Sequence, residues 1–467
     1  MPSGNKAFYV LSFGVLLNVS AYAGILNLQS SINIEHNLGT LGASIMYLSA
    51  AAVAAFIAPV LLRIIGAKWS LIIGEACFVP YSLMNFHPAI YTVIPCAVLG
   101  SLGEGVMWSS SIYYVTQLVY MHWSTTTKEE CSEGSTLDDE RNKWFGTFYG
   151  ILKSSLIFGN LVSYAVLYGA KNLGVSPHNE TSLFQHISHC GSNYQAKQTN
   201  SSLLKYVPAS RLSVYLLTTL FTIMQIGSTV LLILFLPKIR IEQSMRVKSQ
   251  SQIMVLVETV KATFHQALSI DQLLLTPICF YFGLLVSYAF SNFTAGFVSC
   301  TIGVQQVGLV MATYGCFNCL AAIGVGKVSH WFGVAPIYII GLCFDSCSMV
   351  TQLFWTPTPS NKYWVYAFGC LLGVSDGIWQ TTTTATITSA FAHCTELAIG
   401  VMEMWIALGM FCGFLLGGRV VIFKQICLLL GLLYVGCAGY AILVWKNKRK
   451  EKLSKTEMHK LIKHTVQ

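Results

Sequence analysis

Arg63-Ile-Ile-Gly66-Ala-Lys68-Trp-Ser-Leu-Ile-Ile-Gly74 and His330-Trp-Phe-Gly333-Val-Ala-Pro-Ile-Tyr-Ile-Ile-Gly341 are one short turn written twice. A single offset, 267, carries Gly66 onto Gly333 and Gly74 onto Gly341. Each turn joins two long apolar runs. Further along, Gly103-Glu104-Gly105-Val-Met-Trp108 has an echo in Ser375-Asp376-Gly377-Ile-Trp379, one residue shorter between Gly and Trp. The chain of 467 residues is therefore expected to be two similar halves.

Working outward, the apolar runs never stop. Apolar residues make up 54% and charged residues 10% of the chain, and the mean hydropathy is +0.59. An average soluble domain is roughly 25% charged. This composition excludes a disordered chain, a coiled coil and nearly every soluble enzyme. A transmembrane helix needs about 20 mainly apolar residues. The runs that qualify, numbered here as spans 1 to 12, cover 7–28, 40–62, 69–86, 89–113, 145–168, 211–236, 271–291, 304–326, 334–354, 363–389, 398–417 and 421–445. The expected fold is all-α, twelve membrane helices in two six-helix bundles. The first run is too long for a signal peptide and reads as a retained anchor. The bundles are expected at 1–236 and 271–445, with a cytosolic connector at 237–270 and a basic tail at 446–467.

Lys and Arg set the orientation. With the N-terminus in the cytosol, 20 of the 28 basic residues fall inside and 7 outside, leaving Lys153 within span 5. Both termini are then cytosolic. The sequons at Asn179 and Asn200 agree, since both lie in the large loop 169–210 expected outside, which marks them as glycosylation candidates. The net charge of +9 thus serves the membrane and not nucleic acid. The cluster Lys446-Asn-Lys-Arg-Lys-Glu-Lys452 faces anionic lipid or fixes topology.

Most of the fifteen cysteines lie in apolar runs, where Cys behaves as a small hydrophobe. Cys190 and Cys300 alone are placed in or near outside loops, one in each half, and an oxidising exterior permits a bond between them. No zinc spacing, phosphate loop or catalytic triad is found. No metal, no cofactor and no enzymatic activity are expected.

A charged group at bilayer depth costs about 2.5–3.5 kcal/mol, so each should meet a partner or a cavity. The candidates are Glu75, Glu104, Lys153, Asp345, Asp376 and Glu403. Glu104 and Asp376 occupy equivalent points of spans 4 and 10, beside Trp108 and Trp379. A carboxylate with an aromatic wall suits a cation or a proton relay. The alternative is a lock between the halves through Gln380, Thr381 or Ser109. Lys153 is expected to pair with Glu104 of the neighbouring span. Tyr22 and Asn27 are further cavity candidates, and Glu75 and Asp345 are expected to be structural.

Six spans, a connector and six similar spans is the layout of the major facilitator superfamily, in which spans 1, 4, 7 and 10 line a central cavity. Within it, the chain resembles the uncoordinated-93-like family, its A-type homologues most closely. The resemblance runs through Ala21-Tyr-Ala-Gly-Ile-Leu-Asn27-Leu-Gln29-Ser-Ser31, Leu38-Gly-Thr-Leu-Gly42, Trp144-Phe-Gly146, Gly159-Asn160-Leu-Val-Ser163, Leu372-Gly373-Val-Ser-Asp376-Gly-Ile-Trp379-Gln380 and Trp405-Ile-Ala-Leu-Gly409. It departs from the family at Lys153 and Thr382, where Gln is usual, and no Asp precedes Lys68 as it does in sugar and drug porters. The resemblance implies an accessory protein of the plasma membrane that modulates a two-pore-domain potassium channel, or another membrane protein, and so the membrane potential. A solute carrier using Glu104 and Asp376 is the alternative, and a trafficking chaperone for membrane receptors a third.

Overall fold

The computed structural model describes residues 4–32, 38–125, 136–172, 190–194, 211–239, 252–302, 306–358, 360–417 and 419–465. Every regular element among the described residues is helical. Nine helices there are long and apolar enough to cross a membrane. The three expected spans outside that count also fall on helix. Span 3 is split at Cys77 into Ala67–Ala76 and Phe78–Leu83. Span 5, Leu137–Asn172, opens on Asp138, Asp139 and Glu140. Span 10, Trp364–Ala390, carries Asp376, Gln380 and four threonines in succession. Polarity or interruption, not missing helix, separates them from the other nine.

The repeated turn takes one shape twice. Gly66 has φ 81° and Gly333 has φ 75°, a region costly for any residue with a Cβ. Nothing lies within 4 Å of where a Cβ would stand at either, so the backbone demands glycine and the packing does not. Other boundaries are set by side chains. Thr136 and Asp139 cap the start of span 5 reciprocally, Asp139 N to Thr136 Oγ1 at 3.2 Å and Thr136 N to Asp139 Oδ2 at 2.9 Å. Ser269 Oγ accepts from Gln272 N at the start of Ile270–Ser287, the first part of span 7.

The helix pairings repeat as the sequence does. Spans 1 and 5, 1 and 6, 2 and 4, and 3 and 4 pack in the first half. Spans 7 and 11, 7 and 12, 8 and 10, and 9 and 10 pack in the second. Across the halves, 5 meets 8 as 11 meets 2, and 5 meets 10 as 11 meets 4. Such exchange is what a two-fold relation between the halves requires.

The seams are close. A Cβ on Gly146 of span 5 would stand 2.6 Å from the Cα of Gly326 in span 8. Without side chains the backbones touch, as small residues allow in lipid. At the other seam, Ala54 lies in a wide turn, Val53–Ile57, that interrupts span 2. It is held between Gly105 of span 4 and Gly400 of span 11, whose Cβ positions would fall 2.8 Å and 2.6 Å from its backbone N and O. Large apolar side chains such as Ile223, Leu234 and Phe235 of span 6 remain exposed, as a lipid-facing surface requires.

Candidate functional site

Lys153 does not pair with Glu104. Its Nζ lies 2.9 Å from Oδ1 of Asp376, reaching from span 5 of the first half to span 10 of the second. The register of the close seam between spans 5 and 8 turns Lys153 toward the second half. Asp376 is 1% exposed and takes two further donors from span 8. Asn318 Nδ2 donates at 2.7 Å, and the Tyr314 hydroxyl donates to the same oxygen. Gln380 and Thr381 play no part in holding this carboxylate. Its donors were missed in the sequence, although a Tyr and an Asn four residues apart within one apolar run share a helix face.

Trp379 walls no cavity either. It is fully buried, and its Nε1 donates to Asp345 of span 9. Tyr281 gives a further bond to the same carboxylate at 2.5 Å, and Ser375 another. Three donors hold the Asp345 carboxylate. Glu75 of the first half is held less fully, with Ser228 on Oε2 and no partner on its buried Oε1.

Glu104 is likewise half satisfied. Trp108 Nε1 donates to its Oε1 at 2.9 Å, and its buried Oε2 has no partner. Ser109 does not reach it and is itself unpartnered. The hydroxyls of Tyr22 and Tyr47 are bonded to each other at 2.7 Å and, with Tyr81, feel the Glu104 charge. Across the seam, Glu403 of span 11 has a buried Oε1 with no partner and feels the charges of Glu104 and Lys153. Gln380 is buried, and Thr384 meets the Tyr149 hydroxyl at 3.0 Å. Asn27 lies in the helix Gly4–Ile32, but its side chain is outside the description, as are Asn179 and Asn200.

Both ends of the seam are closed. At one end, Arg63 donates to Glu396 Oε1 from Nη2 at 2.8 Å and Nε at 3.2 Å, and from Nη1 to Thr259 of the connector helix at 3.2 Å. Ser389 of span 10 reaches Asp138 of span 5 at 3.0 Å. Cys394 sits beside this latch, and burial pushes its thiol up to about 11. At the other end, Tyr47 stacks on Phe414 with ring centres 5.5 Å apart. There Cys190 and Cys300 are joined in a disulfide, with Cα atoms 5.6 Å apart. Among the described residues, no cluster of three metal-ligating side chains is present.

Comparison with known proteins follows this geometry. The family described as "Ion channel regulatory protein UNC-93" matches residues 30–440. Human protein unc-93 homolog A is 29% identical over 435 residues, 93% of this chain and 92% of its own. A putative potassium channel regulatory protein unc-93 of Caenorhabditis elegans is 23% identical, over 92% of this chain and 60% of its own. Among solved structures, the proton:xylose symporter XylE, of the major facilitator superfamily, aligns with TM-score 0.61 at 14% identity, over 95% of each chain. The human organic anion transporter MFSD10 aligns with TM-score 0.59 at 10% identity, over 93% of this chain and all of its own. At such identities these two establish the fold alone.

Proposed function

Because the chain belongs to the UNC-93 family of ion channel regulatory proteins, on a major facilitator fold, we propose that it regulates a potassium channel, of the two-pore-domain class, as a non-transporting partner in the plasma membrane. One observation carries the choice against a carrier. Asp376, the acid best placed for a solute in the second half, is occupied by Lys153, Tyr314 and Asn318. A ligand would have to displace an ion pair and two hydrogen bonds at a site almost closed to water. The contacts at Arg63–Glu396 and Tyr47–Phe414 favour the same reading, since alternating access must open each end in turn. In this reading the bundles span residues 1–236 and 271–445, the connector and both termini are cytosolic, and the lipid-exposed surface meets the channel.

The solute-carrier reading keeps one support. Glu104 retains a free oxygen beneath three tyrosines. One pair of measurements separates the two. Co-expression with a two-pore-domain potassium channel is expected to change its current, and the purified protein in liposomes is expected to take up no solute. Saturable uptake without a channel, abolished by Glu104→Gln, would overturn the proposal.

A further inference from the structure

The connector helix, Gln252–Ala267, is packed inside out. Thr259, Thr263 and Gln266 share one helix face by their spacing, and all three are buried. Met254, Val257, Phe264 and Leu268 run along the opposite face and are 52–71% exposed. Leu268 continues the helix, its N–H donating to Phe264 O at 3.1 Å. The polar face is engaged with the protein. Thr259 accepts from Arg63 Nη1 at 3.2 Å. Gln266 Nε2 donates to Gln272 Oε1 at 3.1 Å, and its Oε1 accepts from the Cys394 thiol at 3.4 Å. A surface helix bathed in water turns its apolar stripe to the core and its polar side outward. This helix does the reverse, so its outer face calls for an apolar medium.

The position of the helix says which medium. Phe264 packs on Phe56 of span 2, ring centres 5.1 Å apart. Phe56 lies in the membrane-spanning stretch Leu41–Ile64, seven residues before Arg63, or about 10 Å along a helix axis. Ile57 beside it is exposed, so the lipid-facing side of span 2 runs on into Phe264. At the other end, Leu268 leads through Ser269 into the spanning stretch Ile270–Ile302, where Ile270 and Leu273 are exposed too. Two partly exposed ion pairs mark the level of water, Arg63 with Glu396 and Lys446 with Asp271. The helix lies between that level and the apolar band. Lys261 stands within its apolar stripe and is exposed, with Glu258 and His265 along one edge. A lysine there can lay its stem on acyl chains and lift its ammonium to the phosphates.

We propose that Met254, Val257, Phe264 and Leu268 form a phospholipid-binding surface, seated at the boundary of acyl chains and headgroups beside spans 2 and 7. Interfacial helices bury their apolar side about 5–10 Å into that boundary. A protein occupant fits less well, because the cores of protein interfaces are depleted of lysine and Lys261 is central here. The surface is also continuous with the lipid-facing sides of two spans. One helix then touches lipid with one face and the Arg63–Glu396 closure with the other. The inference holds for either orientation of the chain and with or without a channel partner.

The test is photolabelling of the unsubstituted full-length protein in phosphatidylcholine nanodiscs, where part of the lipid carries a diazirine high on one acyl chain. Mass spectrometry of the digested protein locates the adducts, with exposed Ile223 of span 6 as the lipid-facing reference. Adducts are expected at Met254, Val257 or Leu268 in yield comparable to Ile223, and none at Thr259 or Thr263. Labelling at Ile223 with none between residues 252 and 268 overturns the proposal and puts the face in water. Equal labelling of Thr259 and Thr263 overturns it as well, since lipid would then reach both faces. Adducts that give way to crosslinks between two copies, or that vanish when a two-pore-domain potassium channel shares the disc, overturn it in favour of a protein occupant. The proposed channel regulation can fail without altering the labelling in discs that hold this protein alone.

Discussion

Lys153→Met and Asp376→Asn test the ion pair that joins the halves. At 2.9 Å the gross attraction is about 6 kcal/mol at an effective dielectric of about 20. Desolvating both charges offsets most of this, so the net worth of the pair is small, while breaking it by removing one member costs about 3–5 kcal/mol. Lys153→Met leaves Asp376 buried as an unpaired anion. Tyr314 and Asn318 still donate to it, and such charge-assisted bonds are worth about 1.5–3 kcal/mol each, which puts the loss at the lower end, about 3 kcal/mol. Asp376→Asn leaves Lys153, 11% exposed at its side chain and within reach of Glu403's charge, and is expected to cost about 2 kcal/mol. The double variant leaves neither charge, and the amide oxygen can still accept from Tyr314. It is expected to recover about 2–3 kcal/mol relative to the sum of the singles, within the range of contacting pairs. Equilibrium unfolding of the protein in bicelles by steric trapping reads all three. Single variants within about 0.5 kcal/mol of the parent, with an additive double, would refute the reasoning, since that is the behaviour of independent sites.

Three further outcomes are expected. Cys190→Ser, Cys300→Ser and the double are expected to destabilise equally, by about 4–5 kcal/mol on a chain-entropy scale for a loop of this length, with identical shifts on non-reducing gels; unequal losses would show that the thiols act separately. Arg63→Ala is expected to cost at most about 1 kcal/mol, since the pair is partly exposed at 29% and 16%, yet to raise the labelling rate of a cysteine introduced at Thr259; unchanged labelling would mean that the latch does not hold that end closed. Glycosidase digestion is expected to shift the protein through Asn179 or Asn200, with tags at both ends resisting external protease in intact cells; cleavage of either tag would reverse the orientation.

Much of the fold was legible because its signals are local. Apolar length gave the helices, and the doubled turn gave the halves, since a positive φ at Gly66 and at Gly333 forces one residue type at both places. The partners of the buried charges were not legible. Lys153 and Glu104 lie on adjacent spans, which made them look like a pair. Which face of span 5 turns inward is decided by Gly146 and Gly326 touching across the seam, a contact 180 residues apart in the chain. Trp379 beside Asp376 suggested a common wall, yet span 10 directs its indole to Asp345 on the neighbouring span. The two-fold exchange of partners is a property of the packed helices and leaves only scattered glycines in the sequence.

The disulfide also bears on the order of manufacture. Cys190 is synthesised 110 residues before Cys300. At about 5–20 residues per second, the first thiol waits roughly 6–22 s for its mate. During that interval spans 6 and 7 enter the bilayer, and Cys190 stands as a free thiol in the oxidising lumen that the proposed orientation gives it. Residues 190–194 pack against the second half, Gly191 near Pro357 and Tyr194 on Gly296 and Ile422. Their resting place does not exist until that half has been made. A ribosome stalled after span 6 would therefore display a thiol open to capture by an oxidoreductase, and a finished chain would not. Closure of the bond is a chemical record that the second half has arrived.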